Sequence, residues 1–133
     1  GPKVRELNNA IYDLGLKADV LMAGALSHDV LIREIKQSWA VIVPSLSEVT
    51  PNLVLESCAS GTPVIVTREN GLPENISSKI MTFNPKDKKE LILAILFLED
   101  PQKWQDYANV IVNMDTTRSF EDVVSEHINL FEK

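Results

Sequence analysis

Two glutamates, Glu48 and Glu56, stand with seven residues between them in the stretch PSLSEVTPNLVLESCASGTPVIV, residues 44–66. Glu48 falls in a polar loop. Glu56 falls inside a segment that reads as a helix, beside Leu55 and two residues before Cys58. Core-facing helices usually keep their acids on the wet side, so its position raises the question of a shared site with Glu48. Between the two acids, Thr50-Pro51-Asn52 has the chemistry of a helix start. The threonine hydroxyl can cap the helix, and proline suits a first turn, where its missing N–H would have had no helical partner. Gly61 supplies the stop. A helix over 51–60 turns Val54, Leu55, Cys58 and Ala59 inward and stacks Asn52 and Glu56, four residues apart, on one edge of that stripe.

The start of such a helix leaves the N–H groups of Asn52, Leu53 and Val54 open, and a cluster of open amides at the positive end of the helix dipole attracts an anion. Glu48 precedes that point, and Glu56 lies about one and a half turns into the helix. A bare phosphate has no use for a carboxylate on each side. A phosphate carrying hydroxyl-rich groups at both ends does, because carboxylates accept hydrogen bonds from hydroxyls. A nucleotide-sugar has that constitution: sugar, diphosphate, ribose, base.

The elements that must position these groups follow from periodicity. Val4, Leu7, Ile11 and Leu14 recur at helical spacing before Gly15. DVLMAG, residues 19–24, reads as a short strand ending in glycine, and SHDVLIREIKQS as a helix capped by Ser27 with Val30, Leu31 and Ile35 as its stripe. WAVIVP, TPVIVT and KIMTF read as strands, the first two as strands covered on both faces. Asp87 and Glu90 form a capping box for a helix over 88–98. Asp100-Pro101 opens a helix over 101–112, and Ser119 with Asp122 starts a third over 120–131. Parallel strands near Val20, Val41, Val64 and Ile80, alternating with helices, predict an α/β fold: a Rossmann-like parallel sheet with flanking helices and a helical C-terminus. In such sheets ligands bind beyond the C-terminal ends of the strands, here the loops over 23–27, 44–51 and 67–73.

Composition excludes several function classes. The chain has 133 residues with a formal net charge of -6. It carries no basic patch, so nucleic acid is not an expected partner. The longest apolar run, residues 91–98, is too short to span a membrane. A lone cysteine, Cys58, suits a reducing, cytoplasmic compartment and reads as core. His28 and His127 are isolated, and no metal-ligand spacing occurs. Trp39 and Trp104 read as packing residues.

The stretch over residues 44–76 resembles the donor-site signature of GT-B glycosyltransferases, the large retaining group with two glutamates separated by seven residues. The family pattern runs P-S-x-x-E-G-F-P-N-V-L-L-E-A-M-A-x-G-x-P-V-I-x-T-x-x-G-G-x-P-E. Pro44, Ser45, Glu48, Pro51, Asn52, Leu55, Glu56, Ala59, Gly61, Pro63, Val64, Ile65, Thr67, Gly71, Pro73 and Glu74 match it in register. The resemblance implies that Glu48 faces hydroxyls of the donor sugar and is the residue assigned to catalysis. It implies that Glu56 accepts from the ribose hydroxyls and that the amides of Asn52 and Leu53 hold phosphate oxygens. Thr50 and Pro51 complete that turn, and Gly24 and Gly71 come from the flanking loops. The substrate implied is a nucleotide-diphospho-sugar, transferred with retention in glycan or polysaccharide biosynthesis, with no cofactor and no metal.

Three departures qualify the match. Val49 and Thr50 replace a glycine and an aromatic, which changes the sugar pocket. Glu69-Asn70-Gly71 replaces a double glycine, which stiffens that loop. The arginine and lysine that the family uses on the diphosphate, and its acceptor domain, have no counterpart in these residues. The resemblance therefore implies that residues 1–133 form a single nucleotide-sugar-binding domain, a C-terminal GT-B domain lacking its first strand-helix unit. Its expected partners are the donor, an acceptor domain or partner subunit, and, through an open sheet edge, a second copy in a homodimer. Any membrane attachment is expected to be peripheral and to lie in other parts. The alternative reading is a non-catalytic nucleotide-sugar-binding or remnant module that acts only with a partner chain.

Overall fold

The computed structural model describes residues 3–46 and 51–114. Glu48, Thr50 and the predicted helix over 120–131 lie outside the described residues. The chain divides into two compact units, Gly1–Leu31 and Ile32–Lys133.

In the first unit, α1 spans Val4–Asp13 and buries none of its residues. It ends before Gly15, as its sequence predicts. The strand predicted at Val20 does not form. Residues 19–24 make no ladder, and Leu21 is 88% exposed. An apolar run becomes a strand only where a neighbouring edge takes up its N–H and C=O groups, and among the described residues none does so. α2, His28–Gln37, begins in this unit and ends in the second, where Ile35 is buried.

The second unit is built on three parallel strands in the order β1-β2-β3: β1 Val41–Val43, β2 Val64–Thr67 and β3 Met81–Phe83. Val41 pairs with Val64 and Ile65 with Met81, so the strands run in step and end together at Val43, Thr67 and Phe83. The crossovers carry α3, Asn52–Ala59, and the short α4, Glu74–Ser77. α5, Lys88–Glu99, and α6, Pro101–Val112, follow. β2 is buried along its whole length, as a central strand should be. β1 departs from expectation. It is an edge strand, and Ile42 stays exposed.

α3 meets β1, β2 and α6. Its buried residues are Val54, Ser57 and Cys58, while Leu55 is half-buried and Ala59 exposed. The predicted stripe is therefore rotated. Ser57 takes the inward place because its hydroxyl donates to the Leu53 carbonyl at 2.6 Å, so no polar atom is buried unpaired. Gly61 stops the helix in a left-handed conformation, φ 71°. Its N–H donates to Cys58 and that of Thr62 to Ser57, which satisfies the last helical carbonyls.

α6 closes the core with Tyr107, Ala108 and Ile111. The Tyr107 hydroxyl donates to the Val64 carbonyl at 2.7 Å and accepts from the Met81 N–H at 2.8 Å, joining the starts of β2 and β3. Trp39 and Trp104 stack with ring centroids 4.8 Å apart. Trp104 donates its indole N–H to the Trp39 carbonyl, and Trp39 donates its own to Leu98, so the pair clamps β1 to the α5–α6 corner.

The predicted capping box at α5 is half present. Asp87 accepts from the Lys89 N–H at 2.9 Å. Glu90 turns elsewhere, accepting from the Asn84 N–H at 2.8 Å and from Arg68 at 2.7 Å. The loops after β2 and β3 are thereby linked, a better use of a carboxylate than one more local cap.

Candidate functional site

The parallel sheet delivers the loops after β1 and β2 to the same edge, beyond Val43 and Thr67. Thr67 is fully buried and closes that edge from below. Its hydroxyl donates to the Ser45 carbonyl at 2.6 Å and so ties the loop leaving β1 to the end of β2. From this tie the chain proceeds to α3, and the β1–α3 connection begins at a fixed point.

Pro51 is buried and occupies the cap position of α3, with no side chain capping the helix among the described residues. Its carbonyl accepts from the Val54 N–H at 2.9 Å and from the Leu55 N–H at 3.3 Å. This corrects the sequence reading in two respects. Proline stands just before the first helical residue, not within the first turn. The Val54 amide is bonded to the tightened turn, so two amides, Asn52 and Leu53, are left without an acceptor among the described residues. Asn52 is exposed and Leu53 half-buried. Glu56 is half-buried one helical turn beneath Asn52, on the edge that the four-residue spacing predicts.

The loop after β2 forms the other wall. Asn70 is buried; its side-chain amide donates to the Thr67 carbonyl at 3.0 Å, and its side-chain oxygen accepts from the Leu72 N–H at 2.9 Å. One side chain thus spans the loop in both directions and fixes it. Gly71 follows at φ 66°, a conformation open to glycine and costly for other residues. Asn70 of Glu69-Asn70-Gly71 thus makes two hydrogen bonds within its own loop. Arg68 sits at the rim, half-exposed, in its ion pair with Glu90.

The structure brings Pro51, Asn52, Leu53, Glu56 and Gly71 to this edge through the ends of β1 and β2. Gly24, at φ 70°, belongs to the first unit. The sequence reading missed Ser45, Thr67 and Asn70 as loop ties. A threonine ending a buried strand and an asparagine three residues on are the signal that could have found them. Cys58 is buried beneath the site, and burial pushes its thiol up to about 11, so it is no nucleophile. Among the described residues no three His, Cys, Asp or Glu converge on a metal position. Among the same residues no helix is long and apolar enough to cross a membrane.

The loops beyond the C-terminal ends of parallel strands are where ligands bind in open α/β sheets. Residues 1–113 match the family described as glycosyl transferases group 1. The chain belongs to this family. Over 129 residues, 94% of its length, it is 25% identical to an uncharacterized glycosyltransferase of Methanocaldococcus jannaschii, of which it covers 33%. It also superposes on sucrose-phosphate synthase from Thermosynechococcus elongatus with a TM-score of 0.68 and 22% identity, over 99% of this chain and 34% of that one. The chain spans about a third of the length of these relatives. The α/β architecture expected from the sequence is thus that of a GT-B glycosyltransferase.

Proposed function

We propose that the chain binds the donor of a retaining glycosyltransferase, a nucleotide-diphospho-sugar, at the C-terminal edge of its sheet. The observation that carries this reading is the start of α3. Two amides without acceptors among the described residues, Asn52 and Leu53, stand one turn above the half-buried Glu56 on a family-matched segment. In this reading the two N–H groups and the helix dipole hold the diphosphate. Glu56 accepts from the ribose hydroxyls. Glu48 accepts from hydroxyls of the sugar and is the catalytic residue, and Thr50 and Pro51 are among the residues that bind the donor. Gly71 lets the loop over 68–72 approach the ligand. The donor phosphate helps the acceptor lose its proton as the glycosidic bond forms, so retention needs no metal from this site.

Because the chain spans about a third of its relatives' length, donor binding is the part of the activity proposed for it. Transfer requires an acceptor-binding part, on the same polypeptide or on a partner chain. The same fact favours, as a second reading, a binding module that acts only with such a partner.

Calorimetric titration with a nucleoside diphosphate and with the matching nucleotide-sugar tests the assignment. Each lost acceptor is expected to cost about 1–3 kcal/mol. Glu56→Gln should weaken both ligands, whereas Glu48→Gln should spare the diphosphate and weaken the sugar-bearing form. Equal loss of both ligands in Glu48→Gln, or no loss of either in Glu56→Gln, overturns these roles.

A further inference from the structure

α5 is apolar on every side. Its inward residues, Leu91, Ala94 and Leu98, pack on the core. Its outward stripe is nevertheless apolar too: Ile92, Leu93 and Leu96 are 53%, 66% and 50% exposed. A helix that is apolar all round belongs inside something, and among the described residues nothing covers this face. The stripe has a definite charge order. Lys89 stands at its start and Glu99 at its end, both exposed, with Ile92, Leu93 and Leu96 between them. Neither side chain is held by a partner in the described residues, since Lys89 contributes only its backbone N–H to the Asp87 cap. Asp100 and Lys103 form their own pair beyond the stripe.

This order is self-complementary under one operation. Turned end for end by a two-fold axis, a second α5 sets its Glu99 beside Lys89, its Leu96 beside Ile92 and Leu93, and its own Lys89 beside Glu99. The two helix dipoles then oppose each other, which also offsets the unfavourable placing of Lys88 and Lys89 at a helix N-terminus. We propose that this face of α5 is the surface through which two copies of the chain associate, antiparallel and isologous. A lipid surface fits less well, because the stripe ends in an acid and the chain carries a net charge of -6. The inference is independent of the donor reading, since α5 contributes none of the residues assigned to the donor.

Sedimentation equilibrium on the whole chain tests it, with far-UV circular dichroism to confirm that each variant keeps its helices. The substituted residues are all exposed, so folding should survive. The unaltered chain should be a dimer at micromolar concentration, and Leu96→Asp a monomer. Lys89→Glu and Glu99→Lys should each weaken association roughly tenfold, because each places like charges together at two symmetric points. The double variant should recover it. An equimolar mixture of the two single variants should recover it as well, as a heterodimer in which both contacts are again of opposite charge. A chain that stays monomeric overturns the proposal. So does a dimer indifferent to Leu96→Asp, or a monomer that instead partitions onto zwitterionic vesicles.

Discussion

At the scale of single residues, the fold assigns polar atoms so that none is wasted near the site. Among the described residues, no buried side-chain nitrogen or oxygen lacks a partner. Ser57, Thr62, Thr67 and Asn70 are buried and each donates to a carbonyl. Tyr107 carries the largest such burden. Its hydroxyl serves the Val64 carbonyl and the Met81 N–H at once, and burial lifts its pKa well above the ordinary phenol value. Tyr107→Phe keeps the ring and strands two backbone groups. It should lower the free energy of unfolding by about 1–3 kcal/mol, read from denaturant titration, while leaving the Trp39–Trp104 stack in place.

At the scale of elements, the legible parts of the sequence were those where local chemistry decides. α3 was visible because Pro51 and Gly61 bracket it, and α6 because Asp100 caps it with its side chain. β2 was visible as a fully apolar run. DVLMAG has the composition of a strand yet forms none at Val20, because composition cannot supply the neighbour that takes up its hydrogen bonds. The same limit hid the role of Glu90. Its spacing from Asp87 suits a capping box, but Arg68 and the Asn84 N–H, brought near by the pairing of β2 with β3, offer a charge-assisted alternative. At the site itself, the helix start and Glu56 could be read from spacing. The bonded state of the Val54 amide could not, since it depends on how tightly the first turn closes on Pro51.

At the scale of the whole molecule, two buried acids set how stability responds to alkali. Cys58 and Tyr107 are acids held neutral by burial, with pKa values raised above their ordinary 9.0 and 10.0. Below about pH 9 both states keep both protons, and these groups give no pH dependence. Above it the unfolded chain releases the Cys58 proton first and binds fewer protons than the native chain, so stability falls as pH rises. The Cys58 contribution is exhausted near about 11, and Tyr107 adds to the decline from 10.0 upward. Thermal midpoints across this range should therefore fall, and in Cys58→Ala they should start lower but fall less steeply. A midpoint that rises over the same interval would contradict the buried, neutral state of both groups. The central claim, that the start of α3 is where the donor diphosphate binds, is tested most directly by following backbone amide resonances while a nucleoside diphosphate is added. The largest, saturable shifts are expected at Asn52 and Leu53, with smaller ones along the loop at Gly71 and Leu72. Saturable binding that leaves the Asn52 and Leu53 amides unmoved would contradict it.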